Sequence, residues 1–176
     1  YGILLVMDEI QSGMGRTGKM FAIEHWNIVP DIIAIAKALA SGMPLGACVA
    51  DKKLMSWEPG SHSTTFGGNP ISCAAALTTI RLLENGLVKN AARMGNFIMP
   101  RLKKIMNKSK IIGDVRGKGL MIGIELVKNK KTKEPAPEYA SKLAMECFKL
   151  GLMILTCGYN SVRFIPPLGV DEEVAD

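Results

Sequence analysis

Aromatic residues are scarce: Trp, Tyr and Phe make up 6% of the chain, and histidine occurs only twice. His62 has no neighbours at metal-ligand spacing, so no histidine metal site is expected. The four cysteines, Cys48, Cys73, Cys147 and Cys157, show no CxxC spacing and sit in apolar contexts. That excludes a zinc ribbon and fits reduced thiols in a cytoplasmic protein. No apolar run approaches the roughly 18 residues of a membrane span, and no cleavable signal pattern opens the chain, so no membrane partner is expected. An initiator Met and a clear closing element after Glu172 to Asp176 are also missing, and the chain is therefore expected to be a fragment of a longer protein.

What is present is an ordinary globular composition: 176 residues, 48% hydrophobic and 22% charged, enough for one domain or two small ones. The net charge of +6 comes largely from Lys103, Lys104, Lys108, Lys110 and the run Lys128 to Lys133. These lysines lack interleaved aromatics, so they read as solvated charges and not as a nucleic-acid groove.

Two short apolar runs organise the rest. Leu4-Leu5-Val6-Met7 closes on Asp8, and Ile32-Ile33-Ala34-Ile35-Ala36 closes on Lys37. Unbroken apolar runs are the mark of strands covered on both faces, hence of a parallel sheet with helices on either side. Ligands of such sheets sit beyond the carboxyl ends of the strands, where Asp8 and Lys37 would stand together. A lysine buried at that position would be costly as an unpaired charge, which favours the neutral amine that attacks carbonyls. Lysine and a nearby carboxylate form the pair that pyridoxal phosphate requires.

Between the two runs, Gly13, Gly15 and Gly18 satisfy GxGxxG, and Gly13 to Lys19 satisfy most of a P-loop. Neither pattern holds. Asp8 to Ser12 separate the glycines from the strand end, and Met20 stands where a magnesium-binding hydroxyl is needed. The segment is expected to be a flexible turn with Arg16 as a surface charge, or a loop folded over the crevice. Phe21 to Asn27 reads as a short helix.

Further on, Asn69 and Pro70 read as N-cap and first residue of a helix running to about Glu84. Asn85-Gly86 reads as its stop. A second helix, Leu87 to Met106, is expected to break or bend at Pro100. The candidate domain boundary lies here, dividing 1–86 from 87–176. The second half reads as a smaller α/β unit. It has a strand at Leu120 to Val127, a helix from about Glu138 to Leu150, and strands near Leu152 to Thr156 and Val162 to Ile165. Arg163 interrupts the last of these, and a guanidinium there needs either a substrate carboxylate or an internal acid. Gln11 reads as a ligand donor or a surface amide, and Thr65 as a phosphate contact or a plain turn residue.

Asp8 to Gly18, Pro30-Asp31 and Ala36 to Leu39 closely resemble the class-III pyridoxal-phosphate-dependent aminotransferases. The similarity continues through Gly42 to Ala47, Thr65 to Pro70, Val115 to Met121 and Arg163 to Leu168. It implies a fold-type-I α/β enzyme: the end of a large domain with a mixed or parallel sheet, followed by a small C-terminal α/β domain. By the same resemblance, Lys37 would carry the cofactor as a Schiff base and exchange protons with the substrate. Asp8 would pair with the pyridine nitrogen, Gln11 would lie near the phenolic oxygen, and Arg163 would bind the substrate carboxylate. Thr65 would reach the phosphate in a neighbouring subunit's site, so a homodimer or larger homo-oligomer is implied. The expected reaction moves an amino group from an ω-amino or α-amino acid, with a 4-aminobutyrate-like donor favoured, to a 2-oxo acid. An amino-acid racemase of the same fold is the alternative, and a non-catalytic module a third. The family's phosphate-binding Gly-Ser/Thr segment, ring-stacking aromatic and N-terminal substrate-selecting residues have no counterpart here, so the piece is expected to be inactive alone.

Overall fold

A computed structural model describes residues 1–176, which divide into two compact units, Tyr1–Lys89 and Asn90–Asp176. The division falls after Lys89, a little past the Gly86 stop signal.

In the first unit, strands β1 (Val6–Asp8), β2 (Ile32–Ile35) and β3 (Ala47–Ala50) form a sheet in that order. β1 and β2 are parallel, with Asp8 opposite Ala34, whereas β3 runs antiparallel to β2, with Ala47 opposite Ile35. The sheet is thus mixed. Within this unit β1 is an edge strand, and Val6 is 58% exposed. The apolar run Leu4 to Met7 is therefore not covered on both faces here, contrary to the sequence expectation. An apolar run records what a strand prefers to contact; coverage depends on what packs over it. The connection to β2 contains no α-helix. Phe21 to Asn27 forms a 3₁₀ turn over Ala22–Trp26, which Asn27 ends in the left-handed region at φ 54°. No α-helix follows the glycine segment directly, as a dinucleotide fingerprint would require.

Helix α1 (Pro70–Leu82) starts where Asn69 Oδ1 accepts the Ser72 amide at 2.9 Å. Gly86, at φ 135°, distorts the chain at Leu83–Leu87, yet helix resumes at once as α2 (Val88–Lys108). The stretch Pro70–Lys108 is, by length and composition, long and apolar enough to cross a membrane, which the sequence reading did not foresee. No unbroken apolar run marks it, because Thr78, Thr79, Arg81 and Glu84 interrupt its alanines, leucines and isoleucines.

α2 belongs mainly to the second unit. It buries Ala91, Met94, Gly95 and Ile98, the i, i+3, i+4, i+7 stripe of a helix laid on a core. It passes through Pro100 and continues to Lys108, because the lost amide bond would have gone to Asn96, on the exposed side where water hydrates the carbonyl. The sheet beneath it has the order β4 (Ile112–Lys118), β5 (Met121–Asn129), β8 (Ser161–Phe164), β7 (Leu155–Cys157), all antiparallel, with β6 (Glu134–Pro135) also paired to β5. In β5, Ile122, Ile124 and Leu126 alternate inward and join Met94, Ile98, Val115 and Val162 in the core. Helices α3 (Pro137–Lys149) and α4 (Glu172–Ala175) complete the unit.

β4 has no counterpart in the sequence reading. Its two glycines and three charges hide it, and it is held by its partner. Asp114 lies directly opposite Glu125, and Arg116 donates to the first at 2.9 Å and to the second at 2.7 Å. The turn Lys128 to Lys133 is also more than a solvated run, since Lys130 Nζ donates to Met106 O at 2.6 Å and Lys133 Nζ to Gly113 O at 2.5 Å.

α2 meets the β4–β5 turn backbone to side-chain-free backbone. A Cβ at Gly95 would lie 2.5 Å from Gly119 Cα and 2.6 Å from its carbonyl carbon. Gly119 itself sits at φ 53°. Gly95→Ala is expected to destabilise the protein by about 1–3 kcal/mol in denaturant unfolding, through overpacking against rigid backbone. A second outcome concerns pH. The hydrogen bond from Arg116 holds the Asp114 carboxyl below its ordinary value. A depressed native value gives stability that is complete above the unfolded value, near ~3.9, and is lost as pH falls through the native one. Because the pair is exposed, Asp114→Asn should cost only about a few tenths of a kcal/mol at neutral pH. Denaturant melts should show that difference vanishing below the native value.

Candidate functional site

The parallel pairing of β1 and β2 brings their carboxyl ends to one edge of the first unit's sheet. Adjacent strands are ~4.8 Å apart. Asp8 is the last residue of β1, and Lys37 follows its register partner Ala34 by Ile35 and Ala36. Asp8 Oδ1 accepts the Ile10 amide at 3.0 Å, a turn that fixes the carboxylate against its own backbone.

Lys37 opens a 3₁₀ turn, Lys37–Leu39, at φ 45°. A left-handed lysine is uncommon and costs on the order of 1–3 kcal/mol, so it persists only where its surroundings impose it. They do so here. Leu39 and Ala40 are buried, the Leu39 amide donates to Ala36 O at 3.0 Å, and Ser41 and Thr79 of α1 share a hydroxyl hydrogen bond of 3.1 Å. The side chain of Lys37 is nonetheless exposed. Its expected burial at the strand end is thus not met in this chain, because the first unit's sheet has only three strands and its carboxyl edge stays open at Lys37.

Gln11 is exposed in the turn that follows Asp8. The glycine segment beyond it is not a loose surface turn: Gly13, Met14, Gly15 and Thr17 are buried, and His25 Nε2 lies 3.1 Å from both Thr17 O and Thr17 Oγ1. Arg16 is half-buried and its guanidinium is held below its ordinary value by desolvation, which corrects its reading as a surface charge. At the centre of this segment is Glu9, 0% exposed, a residue to which the sequence alone assigned no role. Gly13, four residues on and 2.7 Å from Glu9 O at the position a Cβ would take, was the signal that the chain folds back there.

Thr65 opens an exposed turn ahead of α1, and the Asn69 side chain ties this turn to the helix by donating to Phe66 O at 3.0 Å. His62 packs edge-on against Trp57 with ring centroids 5.1 Å apart. In the second unit, Arg163 stands in β8 between Leu155 of β7 and Gly123 of β5. A glycine opposite leaves space on that face of the sheet for a guanidinium. Arg163 lines a largely apolar cavity of about 360 Å³ with Leu152, Ile154, Phe164 and Pro166 among its walls. Asp8, Gln11, Lys37 and Thr65 thus belong to the first unit and Arg163 to the second.

The first unit thus places an acid and an amine at the carboxyl ends of two adjacent parallel strands, the edge at which α/β sheets commonly bind ligands. The whole chain, residues 1–176, matches the family model for aminotransferase class-III. It is 46% identical over 178 residues to a leucine/methionine racemase of Thermococcus litoralis, covering 100% of this chain and 40% of that protein. It is 45% identical over 176 residues to a 4-aminobutyrate aminotransferase of Mycobacterium leprae, covering 98% of this chain and 39% of that one. Among solved structures, an amine transaminase from an uncultivated Pseudomonas species, in its pyridoxal-phosphate-bound form, matches with a TM-score of 0.91 at 33% identity, over 99% of this chain and 42% of that chain.

The chain belongs to the class-III aminotransferase family, whose members are pyridoxal-phosphate enzymes. It spans about two fifths of the length of these relatives. The donor set on the β1–β2 edge fits that cofactor, offering one amine, one carboxylate and one amide. Removal of the Asn69 cap by Asn69→Ala should cost about 1 kcal/mol in thermal or denaturant unfolding, because the Ser72 amide loses its acceptor.

Proposed function

We propose that the protein containing this chain is a pyridoxal-phosphate-dependent aminotransferase that moves an amino group from an ω-amino or α-amino acid to a 2-oxo acid. A 4-aminobutyrate-like donor is favoured. The observation that carries this reading is the placement of Asp8 and Lys37 at the carboxyl ends of two adjacent parallel strands. Pyridoxal phosphate, when bound, supplies the electron sink that lets a substrate Cα–H bond break.

The chain's own residues divide the remaining work. Lys37 Nζ is the amine that would hold the cofactor's aldehyde carbon and, once displaced by the substrate, takes the proton from the substrate α-carbon. Its exposed position on a buried, strained turn leaves the amine free to swing while its backbone stays fixed. Asp8 would hold a proton at the ring nitrogen by its charge, and Gln11 would donate to the phenolic oxygen. Arg163 would bind the substrate carboxylate through two parallel hydrogen bonds. Thr65, on a turn ahead of a helix N-terminus, would contact phosphate in a neighbouring subunit, so the active form would be a homodimer or larger.

Racemisation is a second reading, supported by the 46% identity to a racemase over the full chain. The same lysine serves both reactions. They differ in where the proton returns: to a different atom in transamination, to the opposite face of the same carbon in racemisation. Incubating the complete protein with pyridoxal phosphate and an L-amino acid, without any 2-oxo acid, separates them. A single equivalent of 2-oxo product per site supports the aminotransferase, whereas continuous loss of optical rotation overturns it in favour of the racemase. Lys37→Ala in the complete protein is expected to lower turnover by ~10²–10⁴-fold or more, and undiminished turnover would remove Lys37 from the mechanism.

A further inference from the structure

We propose that Glu9 is a positioning residue, whose buried carboxylate fixes the strand end that presents Asp8 and Gln11. This rests on the reading of those two residues as cofactor ligands. Successive side chains on a strand face opposite ways, and here Asp8 is exposed while Glu9 is completely buried. A buried carboxylate is tolerated only with its lone pairs engaged. Glu9 Oε2 accepts the Ser12 hydroxyl at 2.5 Å and Oε1 accepts the Ile23 amide at 2.9 Å. Its backbone is pinned as well: the Glu9 amide donates to Ala34 O of β2 at 2.9 Å, and Glu9 O accepts the Gly13 amide at 3.0 Å.

One residue therefore joins β1 to β2, to its own loop and to the start of the 3₁₀ turn at Ala22. Asp8 lies immediately before it and Gln11 two residues after it, so neither can shift while these bonds hold. Gly13 seals the arrangement, because a Cβ there would meet Glu9 O at 2.7 Å and Glu9 Cβ at 3.1 Å. A carboxylate placed this way does not need to touch the cofactor. It acts by denying the ring-nitrogen and phenolic-oxygen partners the ~1 Å of drift that degrades an active site.

The test uses the complete protein with added pyridoxal phosphate, comparing parent, Glu9→Gln, Glu9→Ala and Gly13→Ala. Three quantities are read: the cofactor dissociation constant, the pH midpoint at which the bound cofactor's visible absorbance titrates, and Tm. Glu9→Gln keeps an acceptor for the Ile23 amide and can donate to the Ser12 hydroxyl, so it is the variant expected to fold and to decide the matter. It should weaken cofactor binding roughly tenfold, the scale of one charged hydrogen bond, and move the absorbance midpoint with little change in Tm. Gly13→Ala, which presses on the same carbonyl, should move the midpoint too. A purely structural Glu9 would lower Tm while leaving dissociation constant and midpoint at the parent's values, and that result overturns the inference alone. A parent protein that binds no pyridoxal phosphate overturns the cofactor reading and the inference together.

Discussion

Parallel pairing of β1 with β2, in the register that sets Asp8 against Ala34, decides which charged residues share the edge of the first unit. Side chains alternate along a strand, so a slip of one residue would send Asp8 to the opposite face and bring Glu9 to the edge instead. The register is held from both ends. At one end the Asp31 carboxylate accepts the Leu5 amide at 2.7 Å, and at the other the Glu9 amide reaches Ala34 O. A strand of three residues has too few ladder bonds to be rigid alone, which explains why further bonds at both ends contribute.

The second unit solves a different problem, that of presenting an arginine from within a sheet. Its antiparallel strands bury Ile122, Ile124, Leu126 and Val162 beneath α2. The opposite pairing partner of Arg163 is a glycine, and the close approach of Gly95 to Gly119 brings α2 down onto the β4–β5 turn. Small residues are thus placed where backbone must approach backbone or where a long cation needs space. The like charges of Asp114 and Glu125 face each other across β4 and β5, a repulsive arrangement that Arg116 converts into a bridge.

Much of this was legible in the order of residues. An apolar run ending in a charge locates β1 and β2, Asn69-Pro70 announces α1, and the helical pattern of Leu87 to Met106 announces α2. The acid and amine at the strand ends, with the motifs around them, identify the family. β4 escaped because glycines and charges are not strand signals; its stability comes from pairing with β5, which no local window contains. Pro100 was expected to break or bend α2 because local rules count the lost hydrogen bond; the helix is not broken there, since that depends on which side of the helix faces water.

By itself, the sequence determined most of the elements, though not β4, together with the charged residues at the strand tips and the family, since these depend on local patterns and residue identity. Tertiary structure alone decided that Glu9 is buried while Asp8 is exposed, that Lys37 adopts a left-handed backbone, and that Arg16 is half-buried within a compact loop. Each of these depends on groups distant in the chain, such as Ile23 against Glu9 and Thr79 against Ser41. Burial and backbone strain are properties of what surrounds a residue, and a linear order of residues does not contain its surroundings.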